Sequence, residues 1–261
     1  EIKKSIHADI HYASSIAIIG AGAGGAELAL SFRASLPANT GIHLVGPSLL
    51  PGHGSGAVKQ LEAALAEKEI NYVCDRLTAE AANTADCTVN LTLQYSSQTI
   101  RADHVFWVTD VRAPQWLKAT GLEQDERGFL RVDDRLRSRS HPHIFAAGDV
   151  AHLVGQERPK AGVYAVRAGP ILADNLALAI QGLSLAKSSS QFRPQRYHLN
   201  LIGCGDDTAI ASWGLLATRG RIWWQLKQWI DEKFMRRFND LPIMRSPVHA
   251  LPSALAEDLP E

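Results

Sequence analysis

The feature that most constrains the fold is an apolar run followed by a glycine-rich turn, IAIIGAGAGGAELAL at residues 16–30. The apolar run predicts a buried parallel strand, because helices cover both faces of such strands. Gly20, Gly22 and Gly25 complete a G-x-G-x-x-G pattern. The first glycine allows the tight turn, the second lets the backbone approach a pyrophosphate, and the third lets helix and strand pack closely. The stretch predicts the start of a dinucleotide-binding βαβ unit.

The tip of the second predicted strand, IHLVG, normally carries the residue that binds the adenosine ribose. An acidic residue there favours NAD, and a nearby arginine favours NADP. This chain has Gly46 at that point, and Ser48 is the hydroxyl that we expect near the ribose. The choice between NAD and NADP therefore stays open. A Rossmann unit that has lost its cofactor is the alternative.

Composition excludes several classes of function. The 27 basic residues balance the 27 acidic ones, so no charge excess is available to bind nucleic acid. Cys74, Cys87 and Cys204 form no C-x-x-C pair, and we expect free thiols in a reducing cytoplasm rather than a metal or disulfide site. No apolar run approaches the roughly 20 residues of a membrane-spanning helix.

Further along the chain, HIFAAGDVA carries the most specific signal. The segment HIFAAGD predicts a short buried strand that ends at a cleft, where Asp149 can reach a polyol and Gly148 lets the backbone come close. Upstream of it, CTVNLTLQY predicts part of a small antiparallel meander, and IRADHVFWV predicts the single strand that returns to the main sheet.

The order of these motifs resembles the flavoprotein oxidoreductases with two dinucleotide-binding domains, the pyridine nucleotide-disulfide oxidoreductase superfamily. The segments that carry the resemblance are GxGxxGxELA, RADHVFWVT, GLEQDERGFLRVDDRLRS, HIFAAGDVA and AVRAGPILADNL. Within the superfamily, the chain is most similar to the type II NADH dehydrogenase-like branch. RPKAGVYAVRAGP and QLKQWIDEKFMRRF resemble, more narrowly, the oxidoreductase half that is fused to selenide, water dikinase.

The resemblance implies an α/β fold with a Rossmann-like NAD(P)-binding domain, a partial FAD-domain segment and a C-terminal α+β interface region. The glycine turn matches the second, pyridine-nucleotide motif of such proteins, so the chain is expected to be a fragment that lacks the N-terminal FAD-binding half. The expected segments are a connector at 1–14, the NAD(P)-binding domain at 15–112, the FAD-domain segment at 113–185, the interface domain at 186–240 and a linker at 241–261.

The resemblance also implies site residues. Asp149 would bind the FAD ribitol, with Val150 beside it, and Gly162 and Val163 would begin a helix whose N-terminus points at the flavin. Asp110 stands where the family usually has a glycine. The complete predicted cofactor site is Gly20, Gly22, Ala23, Gly24, Gly25, Glu27, Gly46, Ser48, Thr109, Asp110, Gly148, Asp149, Val150, Gly162 and Val163. No catalytic acid–base residue and no metal ligand is predicted, and His53, His104, His141, His143 and His152 are interpreted as surface or loop residues.

The expected function is the NAD(P)H-binding and C-terminal part of an FAD-dependent oxidoreductase that passes hydride from NAD(P)H to flavin. A quinone or a selenium or sulfur species would then accept the electrons. The expected cofactors are FAD, with an incomplete site in this chain, and NAD or NADP. The alternative is a cofactor-free scaffold that docks or regulates a fused or partner domain.

The expected partners follow from the same resemblance. They are the missing FAD-binding half, a fused kinase-like domain after residue 261, a second copy in a homodimer, and a membrane surface contacted through residues 221–238. The helix predicted at 221–238 is amphipathic, and packing on the body of the protein is its alternative role. We expect a cytoplasmic protein, or one that is peripheral on the inner membrane surface.

Overall fold

A computed structural model describes residues 10, 13–83, 88–183, 190–196 and 198–239. The connector predicted at 1–14 lies almost entirely outside these ranges, and the linker predicted at 241–261 lies wholly outside them. The elements of the first unit are β1 (Ser15–Ile19), α1 (Ala23–Ser35), β2 (Gly41–Val45), α2 (Ser55–Glu67), β3 (Asn71–Val73) and β7 (His104–Trp107). Its four strands form a parallel sheet in the order β3-β2-β1-β7.

The core of this unit lies between the sheet and its two helices. Ile16 and Ile18 of β1 are fully buried, and they share a cluster with Leu30 of α1 and Leu61 of α2. Burying each such side chain contributes roughly 1.5–3 kcal/mol before the entropy of folding is counted. The sequence-based prediction of a Rossmann-like α/β unit is confirmed.

The antiparallel meander consists of β4 (Leu77–Asn83), β5 (Thr88–Leu93) and β6 (Thr99–Ala102). The prediction of one continuous strand across IRADHVFWV is wrong. The strand is interrupted at Asp103, and the two parts, β6 and β7, join different sheets. The Asp103 carboxylate accepts hydrogen bonds from the backbone N–H groups of Ser14 (2.6 Å) and Ser15 (2.9 Å). This break ties the meander to the start of β1.

The second unit contains β8 (Leu130–Val132), β9 (Ala151–Leu153) and the long helix α3 (Gly162–Ile180). The prediction of a strand at HIFAAGD is wrong: within it the structure has only an isolated bridge between Phe145 and Arg137. A short 3₁₀ turn at Gly148–Val150 follows, and β9 then pairs in parallel with β8. A strand needs a neighbour along its length, and the described chain gives this segment only that bridge.

Helix α3 is unusually apolar for a helix that is mostly uncovered. Among the described residues, it is the one helix long and apolar enough to cross a membrane, with a mean hydropathy of 1.3 over a window that is 11% buried. The expectation that no apolar segment is long enough to span a membrane is therefore wrong for α3, judged by helix length and hydropathy. Length and composition alone are weak evidence for a membrane span, and Asn175, fully buried, bonds from this helix to the backbone of Arg135 and Ser190.

The C-terminal unit is an antiparallel sheet of β10 (Asn200–Gly203), β11 (Ala209–Trp213) and β12 (Leu216–Gly220), followed by helix α4 (Arg221–Asn239). The predicted pair of strands and the predicted helix are present, and β12 is an additional strand. The sheet packs on α1 and α2 of the first unit, and α4 packs on the sheet. The fold is thus the expected α/β arrangement with a C-terminal α+β region.

Candidate functional site

Two glycines of the turn after β1 are required by close packing. Gly20 has a φ of +120°, which disfavours any other residue, and a Cβ there would overlap the carbonyl of Val108. A Cβ at Gly25 would overlap the Gly20 carbonyl oxygen. These contacts hold the first turn of α1 against β1 and the end of β7. Gly20 and Gly25 therefore shape the turn, and their contact with a cofactor stays a prediction.

Gly22 differs from both, because a Cβ placed on it would meet nothing within 4 Å. It is the N-cap residue of α1, no side chain caps that helix end, and no acidic residue lies in its first turn. The first N–H groups of α1 have no partner within the helix, and they lie at the positive end of the helix dipole. Such an end is suited to an anion such as a pyrophosphate.

The ribose position at the end of β2 is tightly packed. A Cβ on Gly46 would lie 2.7 Å from the Cβ of Ala21, so the glycine turn itself excludes a larger residue there. The hydroxyl of Tyr72 donates to the Gly46 carbonyl at 3.1 Å. The next loop joins the turn through Leu50, whose N–H donates to the Ala21 carbonyl at 2.9 Å. Ser48 is exposed in the loop that follows β2.

Glu27 lies on a different side of α1 from the open turn. Its carboxylate accepts a hydrogen bond from the backbone N–H of Gly203 at 3.2 Å and lies 3.4 Å from the ammonium of Lys227. Burial opposes the charge on Lys227, and the attraction of Glu27 and Asp231 outweighs it, so the pKa of Lys227 is raised. The predicted role of Glu27 at the cofactor stays a prediction, while its observed contacts are with the C-terminal unit.

At the end of β7, Thr109 and Asp110 are exposed beside the glycine turn. Asp110 pairs with Arg127 of the second unit, with 2.6 Å between the guanidinium and the carboxylate. Arg127 also lies over the Phe129 ring, 5.2 Å from its centroid. The extra carboxylate therefore has a counter-ion, which reduces its repulsion of a polyanionic ligand.

The second part of the site is a small cleft of about 60 Å³ between β9 and the start of α3. Gly148 and Asp149 line it, together with Lys160 and Tyr164. Of the other predicted residues, Val150 packs toward the apolar cluster of the second unit. Gly162 and Val163 form the first turn of α3, which no side chain caps.

Lys160 connects the two parts of the site electrostatically. Its ammonium donates to the Ala151 carbonyl at 2.6 Å and lies 4.0 Å from the centroid of the Phe129 ring. Burial lowers the pKa of Lys160 below its ordinary value, against the opposing attraction of Asp125, Asp149 and Asp110. A cation in this position can stabilise negative charge that develops in the cleft.

One histidine interpreted as a surface residue has a defined partner, so that interpretation is incomplete. The Nδ1 atom of His152 lies 2.8 Å from the Asp125 carboxylate, and its Nε2 lies 3.7 Å from Glu157. In the described ranges no group of three or more His, Cys, Asp or Glu side chains could hold a metal ion. Cys204 is fully buried, and burial raises the pKa of its thiol.

Sequence reasoning missed four residues of this region: Arg127, Lys160, Tyr164 and His198. The first three stand inside segments that carried the resemblance, but nothing in their spacing indicates that they converge. His198 lies beyond a polar loop, and its hydroxyl partner, Tyr164, is 34 residues earlier. No local pattern predicts such a contact.

Comparison with known proteins gives a consistent family. The profile of the pyridine nucleotide-disulphide oxidoreductase family matches residues 3–169. Ferroptosis suppressor protein 1 of Xenopus laevis is 26% identical over 199 residues, covering 71% of this chain and 51% of that protein. The chain thus spans about half the length of this curated relative.

Two solved structures show the same fold. An FAD-dependent pyridine nucleotide-disulphide oxidoreductase from Desulfovibrio vulgaris superposes with a TM-score of 0.62 at 22% identity, over 82% of this chain and 53% of that one. A water-forming NADH oxidase from Lactobacillus brevis, bound to NADH, gives a TM-score of 0.63 at 19% identity, over 81% of this chain and 45% of that one.

Proposed function

Because the chain belongs to the pyridine nucleotide-disulphide oxidoreductase family, we propose that it forms the NAD(P)H-binding and C-terminal part of an FAD-dependent oxidoreductase. The observation that carries the proposal is the open, uncapped start of α1 at Gly22. The cleft lined by Asp149 and Lys160 supports a flavin contact in the second unit. Of the two structural neighbours, one is an FAD-dependent oxidoreductase and the other is an NADH oxidase bound to NADH.

The chain's own residues would bind and orient the two cofactors. The first-turn N–H groups of α1 would hold the dinucleotide pyrophosphate, and Ser48 would face the ribose. Asp149 would accept hydrogen bonds from the flavin ribitol, while Lys160 and the N-terminus of α3 would stabilise negative charge at the flavin ring. The flavin, when bound, supplies hydride acceptance from the nicotinamide.

The second substrate of the proposed reaction is the electron acceptor. We take the acceptor to be a quinone or a selenium or sulfur species that receives two electrons from the reduced flavin. The competing function is a cofactor-free scaffold, favoured by the packing at Gly46, which leaves no space for an acidic ribose ligand. The pairing of Asp110 with Arg127 removes one argument for that alternative.

Calorimetric titration of the purified protein with NADH, NADPH and FAD distinguishes these functions. The oxidoreductase function predicts saturable heats with at least one pyridine nucleotide. A protein that binds neither NADH nor NADPH, while its circular dichroism is that of a folded α/β chain, would contradict the oxidoreductase function and support the cofactor-free scaffold. A visible flavin spectrum on the purified protein would contradict the scaffold.

The proposed partner of the second unit is an FAD-binding half that precedes the described chain. Its support is the outer face of α3, where Val166, Leu176 and Ile180 are exposed, together with the coverage of only 51% of the curated relative. A strand, a G-x-G-x-x-G turn and a helix encoded before Glu1 would support this partner. An upstream sequence without them would contradict it and leave a homodimer across α3 to be tested by ultracentrifugation.

Helix α4 carries the proposed membrane-surface contact. Trp229, Ile230 and Phe238 are exposed on it, and two of its basic residues, Lys227 and Arg236, already have acidic partners. Exposed aromatic side chains among cations suit an anionic lipid surface. Sedimentation with phosphatidylserine-containing vesicles, but not with phosphatidylcholine vesicles, is the expected result. Equal recovery with both would contradict it.

Two narrower proposals rest on the sequence resemblance alone. One is a fused domain of the selenide, water dikinase type after residue 261. The other is a cytoplasmic location, or one at the inner membrane surface. Sequencing of the region encoded downstream tests the first, and fractionation of cells into soluble and membrane pools tests the second.

A further inference from the structure

The end of β2 offers a ribose position that excludes an acidic residue. A carboxylate there binds the 2′-hydroxyl of NAD and repels the 2′-phosphate of NADP. In this chain the position is Gly46, and a Cβ on it would lie 2.7 Å from the Cβ of Ala21 and 2.8 Å from the Ala21 nitrogen. The close packing of the glycine turn therefore keeps away the charge that would reject NADP.

The segment that follows β3 is tied to the loop that follows β2. The Gly46 N–H donates to the Val73 carbonyl at 3.1 Å. The Tyr72 hydroxyl donates to the Gly46 carbonyl, also at 3.1 Å. One residue further along both chains, the Cys74 thiol donates to the Pro47 carbonyl at 3.4 Å. These three contacts place the residues after β3 beside the ribose position.

Arg76 is the cation that this arrangement brings to the ribose position. Val45 and Val73 are the last paired residues of β2 and β3, and Ser48 and Arg76 each follow three positions later. Neighbouring strands lie about 4.8 Å apart, a distance that an arginine side chain can span. The register therefore carries Arg76 toward Ser48 on the neighbouring loop.

The backbone of Arg76 is fixed while its guanidinium stays available. Its N–H donates to the Asp75 carboxylate at 2.6 Å, and its carbonyl accepts from the N–H of Gln94 at 2.8 Å. The side chain is exposed and forms no ion pair within the described ranges. The adjacent Asp75 carboxylate is buried and accepts from the backbone N–H groups of Tyr95 and Ser96. Arg76 is thus a held cation without a counter-ion.

From this geometry we infer that Arg76 binds the 2′-phosphate of NADPH and makes NADPH the preferred dinucleotide of this chain. The inference rests on the proposed function, because it needs a dinucleotide whose pyrophosphate lies at the start of α1. A guanidinium is permanently charged and planar, and it can donate two parallel hydrogen bonds to a phosphate. The exposed Ser48 hydroxyl supplies a further donor on the neighbouring loop.

Two other charges of the first unit are less suited to this role or oppose it. Arg33 lies in the last turn of α1, at the far end of that helix, and its guanidinium donates to the Thr40 carbonyl. Glu62 of α2 opposes an anion. Burial, then the hydrogen bond and charge of Cys74, and last the charge of Glu62 raise the pKa of Tyr72. As the smallest of these effects, Glu62 weakens the attraction of a 2′-phosphate less than Arg76 strengthens it.

The first test measures binding and does not depend on activity. Calorimetric titration of the full chain should show that NADPH binds at least about tenfold more tightly than NADH, the scale of one charge-assisted contact to phosphate. Arg76→Ala should lose about tenfold in NADPH affinity and stay within about twofold in NADH affinity. Arg221→Ala, which removes an exposed arginine at the start of α4, is the matched control and should bind both as wild type does.

The second test isolates the 2′-phosphate from the nicotinamide. Adenosine 2′,5′-bisphosphate carries this phosphate and adenosine 5′-monophosphate lacks it. The ratio of their affinities should fall in Arg76→Ala and be kept in part in Arg76→Lys, because lysine retains the charge but not the planar fork. Ser48→Asp combined with Arg76→Ala should prefer NADH, since aspartate accepts from a 2′-hydroxyl and repels a 2′-phosphate.

The outcomes separate the inference from the proposed function. Equal affinity of the wild-type protein for NADPH and NADH, or equal losses of both in Arg76→Ala, would overturn the role of Arg76 while leaving a dinucleotide site. Preference for NADH in the wild-type protein would do the same. A wild-type protein that binds neither dinucleotide would contradict the proposed function and the inference together.

Discussion

The electrostatic role of Asp110 is interpreted differently once its neighbours in the structure are known. By sequence it places a negative charge where a polyanionic cofactor would lie. In the structure its carboxylate is 2.6 Å from the guanidinium of Arg127, a residue that comes 17 positions later. Charge alone predicts repulsion, and only the tertiary contact supplies the counter-ion.

This pairing leads to a prediction about nucleotide affinity. Arg127→Ala should weaken NADH binding by roughly fivefold, because an exposed charge then faces the phosphates without a counter-ion, and the loss should shrink at high salt. Asp110→Gly combined with Arg127→Ala should recover the affinity. Calorimetry at low and high ionic strength measures both effects. An Arg127→Ala affinity that is independent of salt would argue against the electrostatic explanation.

At the level of elements, the sequence predicted the helices and strands whose positions follow from the local spacing of apolar residues. The β1 strand, both helices of the first unit, the meander and α4 follow from apolar spacing and glycine position. Two strands could not be placed correctly. IRADHVFWV is rich in apolar residues, but the Asp103 carboxylate accepts hydrogen bonds from the N–H groups of Ser14 and Ser15, which no local pattern reveals. HIFAAGD is apolar enough for a strand, but it forms only one bridge in the described chain.

A cluster of ion pairs fastens α2 to the C-terminal sheet and predicts a pH dependence. Asp206 lies 2.9 Å from Lys68 and 2.8 Å from Arg219. Burial disfavours its charge, but the hydrogen bonds from Lys68 and Thr208 and the charges of Lys68 and Arg219 outweigh burial and lower its pKa from 3.8 to about 2.

Because the folded pKa lies below the unfolded one, this stabilisation is present above pH 3.8 and disappears as the pH falls toward 2. Asp206→Asn should therefore lower the melting temperature at pH 6 and have progressively less effect as the pH falls toward 2. Asp207→Asn is the matched control, because Asp207 is the adjacent carboxylate and its side chain is exposed. A melting temperature difference between wild type and Asp206→Asn that does not vary with pH would contradict the assignment.

At the scale of the whole molecule, Glu27 links the dinucleotide-binding unit to the C-terminal unit. Its position after the glycine turn suggested a cofactor ligand, but α1 directs its carboxylate to Gly203 and Lys227. The glycine spacing predicted the shape of the turn after β1, where Gly20 and Gly25 pack closely. The direction of the Glu27 carboxylate depends on the packing of units that are distant in sequence, which local patterns do not reveal.

A substitution at Glu27 tests this link. Glu27→Gln should increase hydrogen exchange in β10 and α4, because the ion pair with Lys227 is lost and its bond to the Gly203 N–H is weakened. NADH affinity should change little. Hydrogen exchange detected by mass spectrometry measures the first effect and calorimetry the second. Unchanged hydrogen exchange together with a large loss of NADH affinity would indicate that Glu27 binds the cofactor instead.

The most direct test of the account is nucleotide binding to a Gly22→Val variant. The position of Gly22 faces open space, so the variant should keep the wild-type melting temperature to within a few degrees while its side chain occupies the phosphate position. Gly169→Ala, where a Cβ also meets nothing within 4 Å, serves as the control. Calorimetry should show saturable binding of NADH or NADPH to wild type and Gly169→Ala and none to Gly22→Val. Equal binding to all three proteins would contradict a dinucleotide at this turn.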